Sequence, residues 1–151
     1  ILICDDDRKM PPETLEKFVS ASRTHPKTLI CGRHSAQPGS QTAVPWGCNG
    51  ILIPKSIIKD DIYKMHYAMS QDCRYVDDAF WQRYFVDHHK VKPISLNGIR
   101  FMAEHCQQGA LYRESGNMKR MGNDGLQTRC LKCPLPSAER MTQLKMNPYT
   151  D

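Results

Sequence analysis

The chain reads as an α/β fold, a mixed sheet flanked by helices, and three observations carry that reading. Short apolar runs recur at Ile1–Cys4, Thr28–Gly32, Ile51–Ile53 and Val91–Leu96. Segments with helical spacing of apolar residues alternate with them. Polar groups gather where the apolar runs stop, which is where an open α/β sheet presents functional groups.

Ile1-Leu2-Ile3-Cys4 is apolar on both faces and suits a central strand covered on both sides. It stops abruptly at Asp5-Asp6-Asp7. Pro11-Pro12 then opens a helix in which Leu15, Phe18 and Val19 recur at helical spacing, and proline is favourable in a first helical turn. His25-Pro26 closes it. Thr28–Gly32 is a second strand, and the polar stretch from Arg33 to Val44 reads as a loop. Trp46–Gly50 is a turn, and Ile51–Ile53 is a strand stopped by Pro54. Ser56–Ile62 reads as a short helical turn. Tyr75–Trp81 opens a helix running to Val86, with Asp77 and Asp78 where capping and the helix dipole favour acids. Val91–Leu96 is the last clear strand. Beyond Gly98 the periodicity weakens; a helix is expected over Asn123–Leu131, and Pro134 and Pro136 break the tail at 132–151.

A length of 151 residues suits one domain, and 40% hydrophobic with 25% charged residues is ordinary for a globular chain. No apolar run is long enough to span a membrane, and no secretory leader is recognisable. The net charge of +5 fits an anionic partner, although no block of five like charges occurs. Seven cysteines, an odd count with most beside apolar residues, argue against a disulfide framework. Buried free thiols in a reducing, cytoplasmic compartment are the expectation.

Three adjacent carboxylates at a strand end repel one another unless a cation or hydrogen-bond donors neutralise them. A hard divalent cation takes oxygen ligands and commonly joins a protein carboxylate to substrate phosphates. A solvated acidic turn is the plain alternative. Asp77-Asp78 at a helix start can supply a general base for a hydroxyl, or can be no more than a cap.

Taken in order, these segments resemble the acceptor half of a GT-A type glycosyltransferase family. The residues that carry the resemblance are Ile1–Asp7, Pro11-Pro12, Pro45–Pro54, Val76–Trp81, Val91–Ile94 and Gly122–Gln127, within residues 1–131. The resemblance implies a partial GT-A, Rossmann-like mixed sheet whose N-terminal nucleotide-binding half is absent, so the chain is expected to be part of something longer. It implies Mn²⁺ or Mg²⁺ at Asp7 and Asp5, with Asp7 the direct ligand and Asp6 beside the donor. It implies a UDP- or GDP-sugar donor, a glycan or other hydroxyl acceptor, and an inverting displacement. Asp78 or Asp77 would deprotonate the acceptor. Trp46, Gly47, Gly50, Trp81, Asn123 and Asp124 would line the substrate site, with a core role the alternative for Trp81.

Two other classes compete. A strand ending in Asp-x-Asp is also similar to aspartate-nucleophile phosphatases and phosphotransferases, but those want Thr or Val where Lys9 stands. A zinc-stapled nucleic-acid module would use Cys130 and Cys133, with His105 and Cys106 as further ligands. It lacks a basic stripe with interleaved aromatics, and no nucleic-acid partner is expected. His88-His89 reads as a solvated helix end, with a ligand role the alternative, and nothing decides whether Lys119-Arg120 faces phosphate or solvent.

Overall fold

The computed structural model describes residues 1–4, 8–35, 44–45, 47–70, 73, 76–96, 99, 102–103 and 125–143. Its strands are β1 (Leu2–Ile3), β2 (Arg8–Lys9), β3 (Leu29–Cys31), β4 (His34–Ser35), β5 (Val44–Pro45), β6 (Ile51–Leu52), β7 (Pro93–Ser95) and β8 (Met102–Ala103). Strands this short persist only when paired and covered. Four of them form one mixed sheet in the order β1-β6-β3-β7. β6 runs antiparallel to both of its neighbours, with Ile3 opposite Ile51 and Ile30 opposite Leu52. β3 and β7 run parallel, with Ile30 opposite Ile94. β2 pairs with β8 and β4 with β5 in two small antiparallel ladders.

The helices follow from local chemistry. α1 (Pro12–Thr24) starts at the double proline and buries Thr14 and Phe18. α2 (Ile62–Ala68) buries Met65 and Ala68. α3 (Asp77–Trp81) continues without a break into a π-helical segment, Gln82–His88. α4 (Leu126–Lys132) and α5 (Ala138–Gln143) come last.

The period-two alternation of strand side chains divides the core between the two faces of the sheet. Ile30 and Leu52 join Phe18 of α1 and Ile99 on one side. Leu29, Cys31, Ile51 and Ile53 join Met65, Phe80, Tyr84, Phe85 and Leu131 on the other. Helices therefore cover both faces, and the α/β expectation agrees with the observed mixed sheet.

Four expectations change. The strand covered on both faces is β3, with all three residues buried, whereas β1 is an edge strand of this sheet and is only half-buried. The loop after Gly32 contains the β4–β5 ladder. The helical turn expected at Ser56–Ile62 resolves into a 3-10 turn at Lys55–Ile57 followed by α2. The tail expected from residue 132 carries α5, and Leu135 and Met141 pack against the larger core cluster.

Candidate functional site at the sheet edge

Strand direction gathers the first set of groups. β6 is antiparallel to both β1 and β3, so β1 and β3 point the same way, and β7 is parallel to β3. Their carboxyl ends share one edge. The 3-10 turn Gly47–Asn49, which leads into the oppositely running β6, reaches that same edge. Crevices at the carboxyl ends of strands are where open α/β sheets bind ligands.

Gly32 closes this edge. Its N–H donates to the carbonyl of Gly50 at 2.8 Å. A Cβ on Gly32 would overlap the carbonyl oxygen of Asn49, so only glycine fits the approach. Gly50 itself has φ 79°, a left-handed conformation that glycine adopts without cost. Cys4, exposed, is the last described residue before the acidic triplet. Asp5, Asp6, Asp7, Trp46, Asn123 and Asp124 lie outside the described residues.

The second acidic pair joins the glycine turn through one carboxylate. Val76 takes the cap position without a side-chain bond, which leaves Asp77 and Asp78 inside the first turn of α3. Asp77 is exposed, and its Oδ1 accepts the Asp78 backbone N–H at 2.9 Å. Asp78 is half-buried, and its Oδ1 accepts the Gly47 N–H at 2.7 Å. A short charge-assisted bond of this kind fixes the carboxylate's orientation. Its negative charge also reaches β3. Burial first, and Asp78 second, push the Cys31 thiol up to about 12. Trp81 is half-buried among Phe80, at 5.0 Å edge-to-face, and Phe85, stacked at 5.9 Å. Its indole N–H is buried with no hydrogen-bond partner among the described residues.

The cysteine expectation is corrected. Cys73 and Cys130 form a disulfide across 57 positions of sequence, with their Cα atoms 4.8 Å apart. The odd cysteine count concealed the pair. Of the others described, Cys31 is a buried free thiol as expected, Cys4 is exposed and Cys133 is half-buried. Cys130 is committed to a covalent bond, so the Cys130/Cys133 zinc pair is excluded in this state of the chain. His105 and Cys106 lie outside the described residues.

A second constellation sits at the far end of the same helical segment, and the sequence reading did not bring Asp61 to the two histidines. His88 Nε2 lies 3.3 Å from Asp61 Oδ2, and His89 Nε2 lies 3.2 Å from Asp61 Oδ1. The Tyr84 hydroxyl donates to Asp61 Oδ1 at 2.8 Å. Burial acts to raise the Asp61 carboxyl, but hydrogen bonds from Tyr84, His88 and His89 outweigh it and hold it below the ordinary value. Burial pushes the Tyr84 phenol up, and the bond to Asp61 adds to that rise.

The segment that leads into both histidines is wound as a π-helix. Here His89 N–H bonds back to the Tyr84 carbonyl at 3.1 Å, the i→i−5 pattern of a π-helix, and the two imidazole centroids come within 4.4 Å. π-Helical turns are rare and recur at functional sites. Lys90 ends the segment at φ 57°, a conformation costing a non-glycine residue about 1 kcal/mol. Its ammonium donates to the Asp87 carbonyl at 2.7 Å. The chain matches no family model, no curated protein and no solved structure.

Proposed function

We propose that the chain is the acceptor-side part of a GT-A type, metal-dependent glycosyltransferase. The observation that supports this most is the 2.7 Å bond from Gly47 N–H to Asp78 Oδ1. It joins two motifs that stand far apart in the chain, at the edge where β1 runs toward the acidic triplet.

On this reading Asp7 and Asp5 hold Mn²⁺ or Mg²⁺, because a set of carboxylate oxygens suits a hard cation. When bound, that ion offsets the charge developing on the departing diphosphate. Asp6, Trp46, Asn123 and Asp124 complete the surroundings of a UDP- or GDP-sugar. Asp78, oriented by the Gly47 amide, takes the proton of the acceptor hydroxyl. The acceptor oxygen bonds to the anomeric carbon while the bond to the diphosphate oxygen breaks, and the diphosphate leaves with the electron pair. Inversion follows from attack on the face opposite that leaving group. Asp77, exposed and turned onto its own backbone, is the weaker choice of base.

The compartment belongs to the same proposal. No helix among the described residues is long and apolar enough to cross a membrane. Disulfides persist chiefly where conditions are oxidising. The Cys73–Cys130 bond therefore favours an oxidising compartment over the cytoplasm expected from the sequence.

Thermal unfolding tests the reading. With Mn²⁺ and UDP at about a hundredfold excess over Kd, the wild type should melt roughly 5–10 °C higher. Asp7→Ala should lose that shift and Asp78→Asn should keep it. An equal shift in the wild type and Asp7→Ala would remove the metal and donor assignment.

A further inference from the structure

We infer that Asp61, His88 and His89 form a Zn²⁺ site that clips the entry of α2 to the end of the α3–π segment. It is distinct from the sheet-edge site and does not depend on the sugar-transfer reading.

The donor set is the first reason. Imidazole nitrogen and carboxylate oxygen are the borderline ligands that Zn²⁺ takes, and hard Mg²⁺ or Mn²⁺ prefers oxygen alone. Among the described residues this is the group of three potential ligands whose donor atoms lie within 4.8 Å of one another.

Spacing is the second. Zinc bonds of about 2.0–2.1 Å in a tetrahedron place neighbouring donors about 3.3 Å apart. The His88 and His89 nitrogens stand 3.3 and 3.2 Å from Asp61, each from a different carboxylate oxygen. All three residues offer a donor atom within 4.8 Å of the others, close enough for one ion to reach.

The orientation of Asp61 is the third. It occupies the N-cap position of α2, where an aspartate ordinarily accepts an N–H of its own helix. It makes no such cap bond. Both carboxylate oxygens turn to the imidazoles instead, and the Tyr84 hydroxyl donates at 2.8 Å to Oδ1, the oxygen that His89 also meets. Outer-shell bonds to ligating groups of this kind orient metal sites.

Access is the fourth. The side chains of Asp61, His88 and His89 are 30%, 26% and 19% exposed, so an ion can enter and a water can fill the fourth position. Three protein ligands with one open position is a recurrent zinc arrangement. Ten residues separate Asp78 from His88, on the order of 15 Å along a helix, so this ion would stand well away from the Asp78 carboxylate.

The test uses the full chain, stripped with a chelator and titrated with Zn²⁺ alone against a chromogenic competitor, then with Co²⁺ alone. One equivalent of Zn²⁺ should bind with Kd at or below about 1 µM, and the Co²⁺ form should show tetrahedral ligand-field bands without a thiolate charge-transfer band. His88→Gln and His89→Gln should each weaken Zn²⁺ binding by at least about 100-fold, while Asp7→Ala should leave it unchanged. Asp61→Asn keeps an acceptor for Tyr84, so weakened binding with an unchanged circular dichroism spectrum decides the matter if the histidine variants do not fold. Kd above about 1 mM, binding that survives in all three variants, a thiolate band implicating Cys133, or loss of binding in Asp7→Ala would each overturn the site.

Discussion

The helical segment from Asp77 to His88 has two ends built on opposite plans. At its amino end the winding is α, the groups are carboxylates, and the partner is a backbone amide from the Gly47 turn. At its carboxyl end the winding is π, the groups are imidazoles, and the partner is a carboxylate from before α2. Carboxylates at the amino end suit the helix dipole. The fixing differs more than the charge. The acidic end is held from outside, by the Gly47 turn and by a disulfide that anchors the approach to α3 onto α4. The imidazole end is shaped by its own winding and by side chains one turn back. One end is a socket made by the fold, and the other is made by a local irregularity.

Three changes separate these plans, in falling order of effect. Replacing both Cys73 and Cys130 by serine should lower stability by about 4 kcal/mol, the loop-entropy value for a closure across 57 positions. Urea unfolding reads this, and Zn²⁺ affinity at the imidazole end should be unaffected. A loss below about 1 kcal/mol would mean that packing alone holds the acidic end. Asp78→Ala should cost about 2 kcal/mol, because it leaves the Gly47 N–H without its charged acceptor. Asp78→Asn, which can still accept that N–H, should cost under about 1 kcal/mol. If the two variants were equally unstable, the charge rather than the hydrogen bond would be what matters.

The last change is silent at neutral pH. The Cys31 thiol ordinarily titrates near 9.0 and is pushed up to about 12 in the fold. Between those values the unfolded chain releases its proton and the folded chain keeps it, so stability falls as pH rises above 9. Cys31→Ala should flatten this part of the pH profile, whatever it does to the overall level. An unchanged slope in that variant would assign the alkaline loss to other groups.

What was legible in the sequence has local signals. Pro11-Pro12 and His25-Pro26 bracket α1 within a residue or two of its observed limits. Glycines around an asparagine announced the turn that reaches Asp78. The imidazole end was not legible for a physical reason. Nothing in residues 82–88 announces a π winding. Asp61 also stands 27 positions from His88, beyond any local pattern. α2 escaped notice because buried Met65 and Ala68 are interleaved with exposed Tyr63 and Tyr67. β1 was placed centrally because an apolar run reads the same whether its second neighbour is a strand or solvent, and strand order is set by contacts far apart in sequence. The disulfide was hidden because spacing alone does not determine which cysteines meet.

The contact between Gly32 and Asn49 reaches beyond this molecule. Two stretches of main chain touch there with no side chain between them, so the position tolerates no alternative to glycine while the turn keeps its place. Any distant relative that builds the same edge must carry glycine directly after its second core strand, together with the left-handed glycine that enters the third. Such a paired requirement is a search signature. It can pick out kin whose overall likeness has eroded, and it does so independently of the acidic motifs that suggested the chemistry.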